Sequence, residues 1–281
     1  MRARCLLVLF LLLSHPTNAA ELKIATWNLN WLTSRAGGLP GDVKLRAPED
    51  FDRLRAYAME LDASLIAIQE VDNAETAYRV FPHELYAVHM TRDRVRQRVG
   101  FAVRRDLAYD VNPDLTSLAS DPIVHLRSGA DITLRPPGGP LRVLALHLKQ
   151  GCQYRSLSGE LRGSCLTLME QRDALLVWIA ARRDEGVPFL VLGDFNRGMD
   201  KRDPFIREIH ATAPIARATE GLSSPCWGHE AFIDHILAGG PARLWLRPGS
   251  LRVMTYRETG DEWKERLSDH CPISARIAFP D

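Results

Sequence analysis

Six stretches of this 281-residue chain close an apolar run with a side chain that can bind a cation, move a proton or hold an anion. Leu22-Lys-Ile-Ala-Thr-Trp27-Asn28-Leu-Asn30 sets two amides two residues apart, on one side of a strand end. Ser64-Leu-Ile-Ala-Ile-Gln69-Glu70 finishes a buried-looking run in a carboxylate. That is costly unless the charge is paired or binds a metal, a solvated strand end being the plain alternative. Leu141-Arg-Val-Leu-Ala-Leu-His147-Leu-Lys149 embeds a histidine which, alone, reads as a hydrogen-bonded core residue. Phe189-Leu-Val-Leu-Gly193-Asp194-Phe195-Asn196 breaks a strand at glycine, then presents an acid and an amide on one side. Ala231-Phe-Ile-Asp234-His235-Ile-Leu buries another acid, and Leu267-Ser268-Asp269-His270-Cys271-Pro sets an acid and an imidazole before a last strand. Each stretch is ordinary by itself. Together they assemble the groups that proton transfer and cation binding need.

The elements that would position these groups are short runs rich in β-formers: Leu22–Trp31, Leu65–Val71, Val99–Val103, Leu141–Leu148, Phe189–Leu192, Phe232–Leu237, Leu251–Tyr256 and Ile273–Phe279. Two helices stand out. The first has Pro48 at its start, Glu49 and Asp50 in its first turn, and Phe51, Leu54, Tyr57 and Leu61 at helical spacing. The second is expected to open on a Thr167-x-x-Glu170 capping box, to carry Leu168, Leu175, Leu176 and Ile179, and to stop at Gly186 with Pro188 beyond. Helix-free stretches such as Ile123–Leu134 and Leu141 onward fill the middle, so two packed sheets with helices outside are expected. Neither an internal repeat nor a composition shift marks a second domain, which predicts one domain over 21–281.

Residues 1–20 carry Arg2 and Arg4, an apolar run from Cys5 to Leu13 and a small-residue exit at Thr17-Asn18-Ala19-Ala20, the pattern of a signal peptide cleaved near Ala19/Ala20. Nine apolar residues fall short of the roughly 20 needed to cross a bilayer, so no stable membrane insertion and a secreted or periplasmic location are expected. Whole-chain charge is 36 basic against 35 acidic; without Arg2 and Arg4 it is 34 against 35. Net charge therefore selects no partner, and a polyanion would have to be met by a local patch. Four cysteines remain after Cys5 leaves, an even count that suits an oxidising compartment. Cys152 and Cys165 bracket a polar loop and form the preferred pair, leaving Cys226 with Cys271. Three pairings are open, and Cys271 as a small buried thiol is the alternative.

Taken in order, Trp27-Asn28, Gln69-Glu70, His147, Gly193-Asp194-Phe195-Asn196, Ile233-Asp234 and Ser268-Asp269-His270 resemble the endonuclease/exonuclease/phosphatase superfamily, the deoxyribonuclease I fold. The resemblance implies a four-layer α/β/β/α sandwich of two packed mixed sheets with the site at one edge. It implies a hydrolase that cuts phosphodiesters with a divalent cation, and the chemistry agrees: charge on the phosphoryl oxygens must be neutralised and a water aimed in line. Glu70, Asn28 and Asp269 are the metal candidates, an oxygen-rich set for Mg²⁺, with Mn²⁺ or Ca²⁺ as alternatives, and no Cys/His cluster has zinc spacing. By the same resemblance His270 pairs with Asp234, which would fix one tautomer and raise its basicity. Asp194 and Asn196 would handle the attacking water and the phosphate. His147 matches the deoxyribonuclease I, sphingomyelinase and inositol-phosphatase branch, where relatives of the abasic-site repair type carry tyrosine. Its acidic partner is open between Glu75 and Glu84.

For the substrate, Arg92-Asp-Arg94-Val-Arg96-Gln-Arg98 and Lys149 could track a phosphate backbone, with Arg94, Arg96, Arg98 and Lys149 as binding candidates and an ordinary solvated loop as the alternative. A bilayer-acting enzyme would show an aromatic-tipped hairpin; none is evident, with Trp227 and Trp263 left as other aromatic contacts. A nuclease acting on DNA or RNA is thus the leading expectation. A phospholipid or soluble phosphoester substrate is the alternative, and a binding protein without catalysis is disfavoured because every chemically necessary position holds a competent residue.

Overall fold

A computed structural model describes residues 21–37, 39–41, 43–119, 126–228 and 231–280. The expected signal peptide and the start of the Ile123–Leu134 stretch lie outside the described residues. In chain order the elements are β1 (Glu21–Leu32), α1 (Pro48–Leu61), β2 (Leu65–Val71), α2 (Ala74–Tyr78), β3 (Tyr86–Met90), β4 (Arg98–Arg104), β5 (Tyr109–Val111), β6 (Ala130–Leu134), β7 (Leu141–His147), α3 (Ser164–Asp184), β8 (Phe189–Asp194), α4 (Pro204–Thr212), β9 (Ile215–Arg217), β10 (Asp234–Gly239), β11 (Arg252–Val253), α5 (Glu262–Arg266) and β12 (Ile273–Ala278).

The strands form two six-stranded sheets, ordered β11-β12-β1-β2-β4-β3 and β5-β6-β7-β8-β10-β9. Each sheet contains one parallel pair joined by a helix, β1 and β2 through α1, and β7 and β8 through α3. Side chains alternate along these strands, and both faces are covered, which is why the runs read as continuously apolar. Leu65 and Ala67 of β2 point inward to meet Val143 and Leu190 from the other sheet. Ile66 and Ile68 point outward under Phe51, Leu54 and Tyr57 of α1. Across the molecule, Leu168, Leu175 and Ile179 of α3 and Phe205, Ile206 and Ile209 of α4 cover Val191. The result is two mixed sheets face to face with helices on both outer sides.

Three expectations shift. The helix expected to open at Thr167 begins one turn earlier, at Ser164, and Thr167 N donates to Gly163 O at 3.1 Å inside it. Its first turn carries Cys165, whose disulfide to Cys152 (Cα–Cα 5.1 Å) holds that turn in place without the box. The Leu251–Tyr256 strand shrinks to Arg252–Val253 because Tyr256 leaves the sheet, its hydroxyl taking a hydrogen bond from Trp27 Nε1 and giving one to His270 O. The Phe232–Leu237 strand starts only at Asp234, since Ile233 O is taken by Phe195 N. The second disulfide joins Cys226 to Cys271 (Cα–Cα 5.7 Å), so both preferred pairings are present.

Candidate active site

Parallel pairs in both sheets end at the same edge, and strand register decides which side chains meet there. Asn28 lies opposite Gln69 in the β1–β2 pair, one residue before Glu70. His147 lies opposite Asp194 in the β7–β8 pair, and Asp234 lies opposite Asp194 from the other side in β10. Gly193 is required for this convergence: at φ +148 a Cβ would stand 2.0 Å from Leu146 O of β7. Glu70 (φ +60), at the irregular end of β2, and Asn196 (φ +50), just past β8, both adopt left-handed backbone, which asparagine tolerates and glutamate adopts only where the surroundings enforce it.

Asp194 is the hub. Its Oδ1 accepts from Asn196 N at 2.7 Å, and its Oδ2 accepts from Asn28 Nδ2 at 3.0 Å and Asn196 Nδ2 at 3.2 Å. The same oxygen stands 3.4 Å from His147 Nε2 and 3.7 Å from His270 Nε2. Asn28 Nδ2 also reaches Glu70 Oε1 at 3.2 Å, bridging the two sheets. Glu70 Oε2 accepts from Trp31 N at 3.1 Å and from Gln97 Nε2. His270 Nδ1 donates to Asp234 Oδ2 at 2.8 Å, and Asp234 Oδ1 is buried with no hydrogen-bond partner among the described residues. Ser268 secures the His270 turn, its Oγ donating to Asn28 O at 2.7 Å and accepting from His270 N at 3.0 Å.

Charge follows from these contacts. Burial pushes Asp194 up to about 7, with Asp234 adding to the shift and His270 opposing it. Burial disfavours the imidazolium of His270, but Asp234 and Asp194 outweigh it and hold its pKa well above the usual histidine range. His147 moves the other way: burial, then Arg127, His270 and Lys149, hold it well below that range and keep it neutral. Arg127 Nη2 donates to His147 Nε2 at 3.1 Å, which leaves the ring proton on Nδ1, an enclosed atom with no partner among the described residues.

The structure thus brings Asn28, Glu70, His147, Asp194, Asn196, Asp234 and His270 into one contiguous network. Asp269 is exposed and lines a cleft of about 370 Å³ together with Asp234, His270, Trp227 and Tyr154. The arginine run is not drawn into that network. Arg94 is exposed, Arg96 ties its loop to another by donating to Arg35 O and Gly37 O, and Arg98 Nε donates at 3.1 Å to Val95 O within its own turn. Lys149 is half-buried beside His147, its backbone N donating to Gln171 Oε1. Glu75 and Glu84 are both exposed, and neither is a partner of His147; Asp194, Glu70 and Arg127 surround its Nε2 instead.

Several contributors carry no sequence signal of their own. Arg127 comes from an irregular segment before β6, and Gln97 comes from the middle of the arginine run. Gln153 Nε2 donates to Asn196 Oδ1 at 3.2 Å from the loop that the Cys152–Cys165 bridge closes. Buried Arg46 donates to the carbonyls of Leu29, Asn30, Trp31, Arg266 and Leu267, clamping the end of β1 to the segment that leads into His270. Burial lowers its pKa to about 10, still charged at neutral pH. A basic residue 16 positions past Asn30 and 24 before Glu70 could have been flagged only by knowing the fold.

A family model described as endonuclease/exonuclease/phosphatase family matches residues 25–270. The chain belongs to the endonuclease/exonuclease/phosphatase family. Solved structures of similar fold include truncated Caenorhabditis elegans TDP2, with TM-score 0.57 and 14% identity over 92% of this chain and 98% of that one. D. rerio TDP2 complexed with single strand DNA product gives TM-score 0.60 and 14% identity over 92% and 98%. The 3′ phosphatase NExo from Neisseria bound to product DNA hairpin gives TM-score 0.59 and 16% identity over 91% and 99%. At these identities the likeness to this family member is one of fold. No curated protein matches the chain.

Proposed function

We propose that the chain is an exported, divalent-metal-dependent phosphodiesterase that hydrolyses nucleic acid. The observation that carries this is the Asp194 carboxylate, perturbed toward neutrality and surrounded by Asn28, Asn196, a neutral His147 and a cationic His270. Asp194 accepts hydrogen bonds and has a pKa near neutrality, so it suits a base that takes a proton from an attacking water. His270, held by Asp234, would donate from Nε2 to a phosphoryl oxygen, and Asn196 would hold the same group through its amide. Arg127 adds a permanent positive charge behind His147, where the phosphoryl dianion character develops.

Whether the site suits a cation can be asked of Glu70. Its carboxylate is nearly enclosed, it accepts three N–H donors, and the imidazole 3.7 Å away is the neutral one. A negative charge so placed fits a hard cation that takes one carboxylate and keeps its waters. Asp194, Asp234 and His270 also converge within 4.8 Å, but the proton of His270 already fills that position. Glu70 would therefore hold the ion, with Asn28 beside it and Asp269 facing the cleft, and Mg²⁺ suits the oxygen donors best. When bound, the cation would neutralise charge on the leaving and non-bridging oxygens.

Export is supported by the N-terminal pattern and by the two disulfides. Among the described residues no helix is long and apolar enough to cross a membrane. Neighbours in the fold solved with DNA products support nucleic acid over lipid as substrate. The test is to incubate the mature protein with supercoiled plasmid, single-stranded RNA and sphingomyelin, each with Mg²⁺, Mn²⁺ or a chelator. Metal-dependent nicking or RNA cleavage that His270→Ala abolishes is expected; turnover of sphingomyelin alone, or cleavage indifferent to the chelator, would contradict the proposal.

A further inference from the structure

β9 is the edge strand of its sheet, and Arg217 at its end lies opposite Leu237 of β10. Leu237 is three residues from Asp234, about 10 Å at a strand rise of ~3.3 Å per residue. Arg217 is only 8% exposed, and its Nε is enclosed with no hydrogen-bond partner among the described residues. An enclosed guanidinium donor left unpaired is costly in a folded protein unless a ligand meets it. Acids stand nearby, but they are engaged elsewhere. Asp203 accepts from Arg197 Nε at 2.9 Å and from Phe205 N at 3.0 Å, Asp200 accepts from Arg202 N at 2.6 Å, and Glu220 sits 3.6 Å from Lys201.

Arg217 lines a second cleft, of about 250 Å³, together with Thr219, His235, Met199 and the backbone of Gly198 and Gly221. His235 contributes no charge there, since burial lowers its pKa to about 4. Arg217 is the cation of this lining and Asp200 its acid, at the exposed rim. The second cleft adjoins the one that holds Asp234, Asp269 and His270: Tyr154, Ala231 and Phe232 line both, and Tyr154 Oη donates to Ala231 O at 3.4 Å between them. Tyr154 is 61% exposed and stands between the two on the loop closed by the Cys152–Cys165 bridge.

We propose that the second cleft is an anion subsite in which Arg217 takes a phosphate flanking the one that is cut, so that the preferred substrate is an oligonucleotide bearing at least two phosphates. This rests on the phosphodiesterase assignment above and adds to it a direction, since the chain would run past Tyr154 toward β9. A guanidinium paired with a phosphate is a charge-assisted contact worth about tenfold in affinity or more.

Two measurements test it on the mature protein with Arg217→Gln and Arg217→Lys, both checked for an unchanged thermal melt. The first compares kcat/KM on the dinucleotides TpT, pTpT and TpTp. Wild type should cut one of the two-phosphate substrates about tenfold better than TpT, and that ratio should fall to about one in Arg217→Gln, with Arg217→Lys in between. The second needs no turnover: calorimetric binding of thymidine 3′,5′-bisphosphate against thymidine 5′-monophosphate, where the preference for the bisphosphate should vanish in Arg217→Gln. Equal kcat/KM for all three dinucleotides in wild type, or a bisphosphate preference untouched by Arg217→Gln, would overturn the subsite. Should bisphosphate binding depend on Arg217 while none of the dinucleotides is cut, the subsite would stand and the phosphodiesterase assignment would fall.

Discussion

His147 and His270 face the same carboxylate oxygen, at 3.4 and 3.7 Å, from opposite sides of the site, yet the fold gives them opposite charges. His147 is fully buried and His270 largely so, and burial by itself works toward the neutral form of each. What separates them is the next neighbour. His270 has Asp234 at 2.8 Å on its far nitrogen, and that acid restores the proton which burial would remove. His147 has Arg127 at 3.1 Å, and a guanidinium beside an imidazole reinforces burial. The role of a histidine in such a site is therefore set by the residue behind it, and one imidazole serves as donor while the other serves as acceptor.

The comparison can be broken most severely at its charged end. Asp234→Asn keeps the shape of the carboxylate but removes the charge that holds the imidazolium, and turnover should fall by roughly 10³-fold with little change in thermal stability. A plasmid-nicking rate within a factor of three of wild type would separate His270 from the chemistry. At the neutral end, Arg127→Met should lower turnover by about 10²-fold, from loss of a buried charge near the phosphoryl group. The same variant should move the His147 titration back toward the ordinary histidine range, readable by NMR; an unmoved resonance would mean that burial by itself keeps His147 neutral.

A third imidazole sharpens the contrast without touching catalysis. His235 follows Asp234 directly, but its Nε2 donates to Arg197 O at 2.9 Å and its Nδ1 accepts from Thr219 Oγ1 at 2.6 Å, a satisfied core histidine. Its folded pKa of about 4 lies below that of the unfolded chain. As pH falls, the unfolded state takes up the proton first, so stability is fully present above the ordinary histidine pKa of ~6.5 and is lost from there down to about 4. The expected contribution is about 2 kcal/mol between pH 7 and pH 5, measurable as a shift in urea midpoint that His235→Gln removes. A variant with the same pH dependence as wild type would place the titrating group elsewhere.

Much of the framework was legible because the strands that carry the site are central. Leu65–Val71 and Leu141–His147 are almost wholly buried and leave a nearly continuous apolar run, broken in the second only by Arg142, so the polar residues near their ends are conspicuous. The elements that went unseen are short, or lie at an edge and leave no such run: β3, β5 and β9, and the helices α2, α4 and α5, although Asp203-Pro204 offers α4 a cap and a first-turn proline. Asn30 and Trp31 adopt left-handed backbone at φ +42 and +54; asparagine tolerates that region, but nothing in the tryptophan side chain announces it. Arg46 and Arg127 escaped for a different reason: a buried arginine looks like any surface arginine until the carbonyls and the imidazole it serves are brought to it. Within the Arg92–Arg98 run, the residue that hydrogen-bonds the network is the uncharged Gln97, which a reading for charge passes over.

The most direct measurement is a ¹⁵N-imidazole NMR titration of the wild-type mature protein, with His147, His235 and His270 assigned by single substitutions. At pH 7, His270 should be protonated on both nitrogens with Nδ1–H held in the bond to Asp234, while His147 should be neutral with its proton on Nδ1. A neutral His270, or a cationic His147, would contradict the division of labour on which the proposed chemistry stands.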